Sequence, residues 1–209
     1  MTVLLMRHTA DPDLLCGQMA ALCTGFTGDP MIAGKGAMSR GHGSIAEHAT
    51  FTFAIDGVSR ALLAQLTRHR LASFSVQSQR YCGVEPEWVV PPKFRELGLE
   101  QEYIEDCNRA YAKYCSYIER GAEEEDARYV IPQGVTCRLG LTMNARELLH
   151  FFGLRCCNRA QWEIRELANE MLRQCREVAP MLFADAGPGC VRGHCPEGAK
   201  GCGRGKKNA

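Results

Sequence analysis

Between Thr50 and Ile55 the chain alternates, with Phe51, Phe53 and Ile55 on one side and Thr50, Thr52 and Ala54 on the other. Only a period of two separates residues in this way, so the segment reads as a half-buried strand. Ser59 follows in position to cap a helix on which Leu62, Leu63 and Leu66 form an apolar stripe. Arg68-His69-Arg70 ends that helix, and positive charge suits a helix C-terminus.

The same reasoning places other elements around this pair. Val3 to Met6 reads as a short strand, and Asp11-Pro12-Asp13 supplies a turn and an N-cap for a helix to about Cys23. Gly25 to Gly43 is rich in glycine and carries no assignable pattern. A polar loop runs to Tyr81, Pro91-Pro92 marks a connection, and a helix spans Leu99 to Arg120, ended by Gly121. A short acidic helix covers Glu123 to Tyr129. Val135 to Met143 reads as a strand delivering Asn144 as the cap of the next helix, and a last helix runs from Trp162 to Val178. No internal repeat and no domain boundary stands out, so strands and helices mix in one α+β unit.

Lysine plus arginine (25) nearly cancels aspartate plus glutamate (24), so attraction to nucleic acid or an anionic membrane does not organise the whole surface. Anion recognition has to be local. The chain shows no export signal and no span-length apolar run, which points to the cytoplasm. Its twelve cysteines are therefore expected as reduced thiols, several of them packed at helical core positions.

The densest chemistry lies in Arg68-His69-Arg70-Leu71-Ala72-Ser73-Phe74-Ser75-Val76-Gln77-Ser78-Gln79-Arg80-Tyr81. Forked guanidinium groups and hydroxyls with little acid nearby are what bidentate phosphate recognition requires. Taken alone, the stretch also suits a solvated basic helix end.

The stretch resembles the Arg-His-Arg-x-x-Ser-x-Asn-Glu-x-Ser-x-Arg signature of the flavin-dependent thymidylate synthases. Arg68, His69, Arg70, Ser73, Ser78 and Arg80 match, and Ser75-Val76 stands where that signature has Asn-Glu. The segment Gly41 to His48 is similar to the family's His-x-[Ser/Thr]-x-x-Glu-His segment before a Phe-Thr-Phe strand. Asn144 to Arg155 and Ala160 to Arg165 resemble its Asn-Ala-Arg helix and its Ala-Gln-Trp-Glu-Ile continuation. The likeness spans roughly residues 1 to 183.

The resemblance implies a family domain over residues 1–186 and a homotetramer with active sites at subunit interfaces. It also implies reductive methylation of dUMP to dTMP by an FAD enzyme, with 5,10-methylenetetrahydrofolate as one-carbon donor and NADPH as reductant. Carried over by position, it assigns FAD contacts to Ser44, Arg68, His69, Arg70, Asn144, Ala145, Arg146 and His150. It assigns dUMP contacts to Gln65, Arg68, Gln77, Ser78, Gln79, Arg80, Arg128 and Arg155, with catalytic roles for Arg155 and His42. No cysteine lies inside the matching motifs, so Arg155 against the uracil N3/O edge is expected to stabilise the anionic ring. Preorganised charge of this kind contributes about 3–4 kcal/mol in comparable sites.

Local physics is compatible with these roles. Gln65 and Arg68 are three apart, so one helical face presents both. Arg146 and His150 are four apart, at a helix start whose unused N–H groups favour an anion such as a pyrophosphate. Arg155 lies about 180° from Arg146 on a continuous helix. Either Gly153 breaks that helix, or the two arginines serve different parts of a site assembled from several chains.

Ser78 has no base at triad spacing and is expected to hydrogen-bond phosphate. His42, Glu47 and His48 are read as structural rather than as metal ligands, and no metal is expected. The Gly/Cys/Lys-rich segment 187–209 reads as a flexible tail or an appended ligand-binding hook. It holds Cys190, His194, Cys195 and Cys202, then Arg204, Lys206 and Lys207. Its cysteine spacing is read as unlike that of zinc sites, which sets disorder ahead of metal binding. Two other classes compete: a nucleic-acid-binding module built on Arg68 to Arg80, and a flavoprotein of different substrate class.

Overall fold

The computed structural model describes residues 1–193 and 195–204. His194, Lys206 and Lys207 of the tail lie outside the described residues. The fold mixes helices with one antiparallel sheet of four strands in the order β1-β2-β4-β3. Its strands are β1 (Thr2–His8), β2 (Thr50–Ser59), β3 (Ala72–Val76) and β4 (Thr136–Asn144). Its helices are α1 (Pro12–Thr24), α2 (Pro30–Ser39), α3 (Arg60–Leu66), α4 (Pro92–Glu96), α5 (Glu100–Glu119), α6 (Glu124–Ala127), α7 (Ala145–Arg155) and α8 (Trp162–Val178). Among the described residues no helix is long and apolar enough to cross a membrane.

The chain forms two compact units, each assembled from three stretches of sequence. The first comprises Met1–Thr2, Ile55–Arg68 and Ser75–Leu139; the second comprises Val3–Ala54, His69–Phe74 and the chain from Gly140 onward. Strands β2 and β4 each run through both, which is why no compositional boundary shows along the sequence.

In the first unit, Val84, Tyr114, Ala127 and Val135 form a buried cluster against which Trp88, Tyr111, Ile118 and Ile131 pack. Helix α5 supplies Tyr111, Tyr114 and Ile118 from one face, as its apolar spacing requires. Gly121 takes a positive φ of 91° just after the C-cap Arg120, a conformation that costs glycine little. Ser59 caps α3 as expected, its hydroxyl accepting from the Leu62 N–H at 3.0 Å. The helix stops at Leu66, however, and Thr67 forms its C-cap, so the cationic triplet follows the helix rather than ending it.

In the second unit, Phe51 and Phe53 of β2, Leu141 and Met143 of β4, Leu148, Phe151 and Phe152 of α7 and Ile164 of α8 are fully buried. Edge-on contacts of Phe183 with Phe51 (5.4 Å between centroids) and with Phe152 (5.8 Å) tie strand to helix. The unassigned glycine-rich segment contains α2. Asp29 caps it by accepting from the Met31 N–H at 2.9 Å, and Pro30 opens it. Its glycines serve close helix packing: a Cβ on Gly17 of α1 would sit 2.5 Å from the Pro30 carbonyl oxygen, and one on Gly34 3.0 Å from the Gly17 Cα.

The stretch read as a polar loop before Tyr81 contains β3. Ser73 and Ser75 face solvent there, while Ala72, Phe74 and Val76 are half-buried. Helix α7 runs unbroken through Gly153 to Arg155, which removes the broken-helix alternative. Asn144 caps it, Oδ1 accepting from the Glu147 N–H at 2.9 Å. Asn144→Ala is therefore expected to lower unfolding stability by about 1 kcal/mol, measured by urea denaturation.

Candidate functional site

In the second unit, α7 and the chain after α3 converge on a buried histidine. His69 is 5% exposed, and its Nδ1 lies 3.0 Å from Oε1 of Glu147, itself 6% exposed. On the other side of the ring, Nε2 accepts a hydrogen bond from Nε of Arg155 at 3.1 Å. Arg155 has only donors, so Nε2 must be the unprotonated nitrogen and Nδ1 carries the proton that goes to Glu147. Burial, the largest influence, holds the His69 pKa below its ordinary value; the hydrogen bond to Glu147 opposes that shift and the Arg155 charge reinforces it. The imidazole is therefore neutral, in one tautomer, and it fixes the direction of a half-buried guanidinium.

The edge of the His69 ring meets Phe151 (centroids 4.9 Å apart) and the exposed His150 (5.9 Å). His69, Glu147 and His150 place their ligand atoms within 4.8 Å of one another, a spacing that also suits a metal ion. Both His69 nitrogens are already committed, however, and the Arg155 charge beside Nε2 opposes a cation there.

Protonation of His69 would drive two N–H groups together at Nε2, so the network has a pH dependence. Its folded pKa lies below the unfolded value of about 6.5, so between those values the unfolded chain binds more protons. Stability is thus expected to fall as pH drops through about 6.5 toward the folded value. Denaturation midpoints of the native protein and His69→Gln from pH 7.5 to 5.5 test this; parallel pH slopes would refute it.

At the start of α7, exposed Arg146 forms an ion pair with Glu47 of the turn Gly43–His48. Gly43 of that turn faces Arg146, since a Cβ on it would lie at ordinary contact distance, 3.9 Å, from Arg146 Nε. Ser44, His42 and His48 are exposed on or beside this turn. Two of the N–H groups expected to be unused at this helix start are engaged: the Ala145 N–H donates to Ala49 O at 2.8 Å and the Glu147 N–H to Asn144. The Arg146 side chain stands exposed beside that helix start. Its exposed pair with Glu47 contributes only about 0–1 kcal/mol, so an incoming anion displaces it at little cost. Arg70 is exposed.

The first unit holds the remaining predicted residues. A cavity of about 480 Å³ is lined by Arg60, Thr67, Gln79, Arg128, Tyr129 and Gln133, among others. Glu125 organises its basic side, its carbonyl accepting from Arg128 Nε at 3.0 Å and its carboxylate pairing with Arg80. Arg80 also lies over the Tyr81 ring at 5.4 Å, and its N–H donates to Ser78 Oγ at 3.1 Å. Half-buried Gln65 and exposed Arg68 share one turn through the bond from the Arg68 N–H to the Gln65 carbonyl at 3.3 Å. The Gln77 carbonyl accepts from Arg60 Nη2 at 3.1 Å.

Two residues outside the sequence expectations thus matter. Arg60 lines the cavity, and its Nε is buried without a hydrogen-bond partner among the described residues. The available signal was its place at the first helical position, where a cation opposes the helix dipole. Glu147 was masked by its position three residues after a capping asparagine, where a carboxylate ordinarily serves the cap.

The family profile described as thymidylate synthase complementing protein matches residues 4–181, ending before Cys190, Cys195 and Cys202. The chain is 45% identical over 219 residues to a flavin-dependent thymidylate synthase of Geobacter sulfurreducens, covering 98% of this chain and 94% of the relative. An enzyme of the same name from Clostridium tetani is 42% identical (97% and 93% covered), and one from Pyrococcus horikoshii is 48% identical (77% and 70%). The chain belongs to the flavin-dependent thymidylate synthase family. Like the other flavin-dependent thymidylate synthases, it is a methyltransferase enzyme. The Ser75-Val76 departure lies in β3, where Ser75 is exposed and Val76 half-buried.

Proposed function

We propose that this enzyme converts dUMP to dTMP by reductive methylation, using FAD, 5,10-methylenetetrahydrofolate and NADPH. The carrying observation is the Glu147–His69–Arg155 chain, which holds a guanidinium in one direction through a single histidine tautomer. Such a group is suited to the N3/O edge of a uracil, where negative charge develops as C5 becomes nucleophilic. C5 then bonds the methylene carbon and gives up its proton, the carbon's bond to the folate nitrogen breaks to release tetrahydrofolate, and that carbon becomes a methyl group on receiving a hydride.

The donor set fits a flavin dinucleotide. Arg146 offers a cation on the first turn of an 11-residue helix, and exposed His150 stands one turn along the same face. Ser44, Arg68, Arg70, Asn144 and Ala145 complete the assigned FAD residues other than His69, and the bound flavin supplies the hydride. His69 acts from behind them by positioning Arg155, since its nitrogens are engaged within the protein. His42, exposed beside Ser44, is assigned to folate-side or flavin-access work.

For the nucleotide, Arg128 and Gln79 line the 480 Å³ cavity, and Gln65, Arg68, Gln77, Ser78 and Arg80 are assigned with them. A homotetramer in the cytoplasm completes the reading. Exposed Leu4 and Met6 on the edge strand β1, with Ile32 on α2, are apolar surface of the kind subunit contacts cover.

Release of tritium from C5-labelled dUMP, with dTMP formed only when flavin, methylene-folate and nicotinamide are all present, tests the reading. A flavin-loaded protein that binds dUMP yet releases no label would refute it.

A further inference from the structure

Four thiols line one cavity of about 310 Å³ in the second unit. Cys157 comes from the turn after α7, and Cys190, Cys195 and Cys202 come from the segment beyond α8. They are 33 to 45 residues from Cys157 in sequence, so their convergence is a product of tertiary structure.

Specific contacts hold the two chain segments together. Arg159 Nη1 donates to the Lys200 carbonyl at 2.7 Å, and Arg159 Nε pairs with Glu197 at 3.2 Å. Asn158 Nδ2 donates to the Cys202 sulfur at 3.7 Å, while the Asn158 carbonyl accepts from Arg165 of α8 at 2.9 Å. A Cβ on Gly201 would lie 3.1 Å from the Cys195 sulfur, so the residue before Cys202 packs closely against that thiol.

These thiols differ from the core ones. Cys16 and Cys156 are buried, whereas Cys157, Cys190 and Cys195 are half-buried and Cys202 is exposed. The Cys202 sulfur accepts from Asn158 Nδ2 at 3.7 Å. A polar donor on a sulfur, next to further thiols, is the outer arrangement typical of a metal ligand. The spacing agrees, which corrects the sequence reading. Cys190 and Cys195 are separated by four residues, inside the Cys-x₂₋₄-Cys range of metal sites.

We propose that Cys157, Cys190, Cys195 and Cys202 form a four-thiolate centre for a thiophilic metal, apart from the residues assigned to flavin and nucleotide. On loading, each thiol gives its proton to solvent as its sulfur bonds the metal. The four thiolates with a dication leave a net charge of about −2, which Arg159 and Arg204 on the cavity wall offset in part, Glu197 beside Arg159 keeping the site anionic. A single zinc needs sulfurs about 3.8 Å apart, set by a tetrahedron of 2.3 Å bonds. No three of these sulfurs lie within 4.8 Å of one another, so zinc draws the glycine-rich loop inward, whereas an iron–sulfur cluster accepts wider spacing. The shared chemistry is tetrathiolate coordination, and elemental analysis separates the two sources.

The test is the metal content of tag-free full-length protein purified under nitrogen, with zinc, iron and acid-labile sulfide measured per chain. About one zinc, or iron with matching sulfide, is expected. The Cys190→Ser/Cys202→Ser double variant should lose at least tenfold of it, while Cys23→Ser, at an exposed thiol outside the cavity, should retain it. A second measurement covers a variant that fails to fold: in the native protein the four thiols should resist alkylation until a chelator is added. Native protein with only trace metal, or equal alkylation before and after chelation, overturns the proposal. None of these readouts depends on thymidylate synthesis.

Discussion

Arg155→Ala is expected to lower turnover of dUMP to dTMP by about 10²–10³-fold, or about 2.7–4 kcal/mol of transition-state stabilisation. The size follows from preorganisation. The Arg155 Nε is held on a buried, single-tautomer imidazole, so the guanidinium needs no reorientation as charge develops on the pyrimidine. Lysine does not restore the function, because it carries neither the Nε–H nor the planar fork. Single-turnover dTMP formation measures the loss, and flavin content with the denaturation midpoint shows that the fold survives. Near-native turnover would remove Arg155 from the chemistry.

Glu147→Ala is expected to cost about 2–3 kcal/mol of stability, because it leaves the His69 Nδ1–H buried without its charged acceptor. It should also lower turnover. Once the carboxylate is gone, His69 is free to take the other tautomer, whose Nε2–H opposes the Arg155 Nε–H. Glu147→Gln keeps an oxygen for Nδ1–H and should recover most of both losses. Urea denaturation and dTMP formation, run on all three proteins, separate positioning from packing. If glutamine behaves like alanine, the tautomer account fails.

Several elements were legible in the sequence because their causes are local. The alternation of Phe51, Phe53 and Ile55, the cap at Ser59, the stripe of α5 and the cap at Asn144 each depend on residues a few positions apart. Helix α2 was not legible. Its glycines lower helix propensity, and what offsets them is the close approach of α1. Strand β3 was hidden by its serines, although the alternation with Ala72, Phe74 and Val76 was present.

Of the candidate site, the residue types were readable and their pairings were not. Arg146 and Arg155 were placed on opposite sides of one helix by spacing alone, and the unbroken α7 agrees. That His69 turns inward to Glu147, 78 residues away, and serves Arg155, 86 residues away, required the folded chain. The same holds for Cys157 meeting three cysteines from beyond α8. Periodicity and capping are properties of neighbouring residues, so sequence determines them directly. The protonation state of a histidine, or the gathering of thiols, depends on which distant groups share its low-dielectric surroundings, and only tertiary packing decides that.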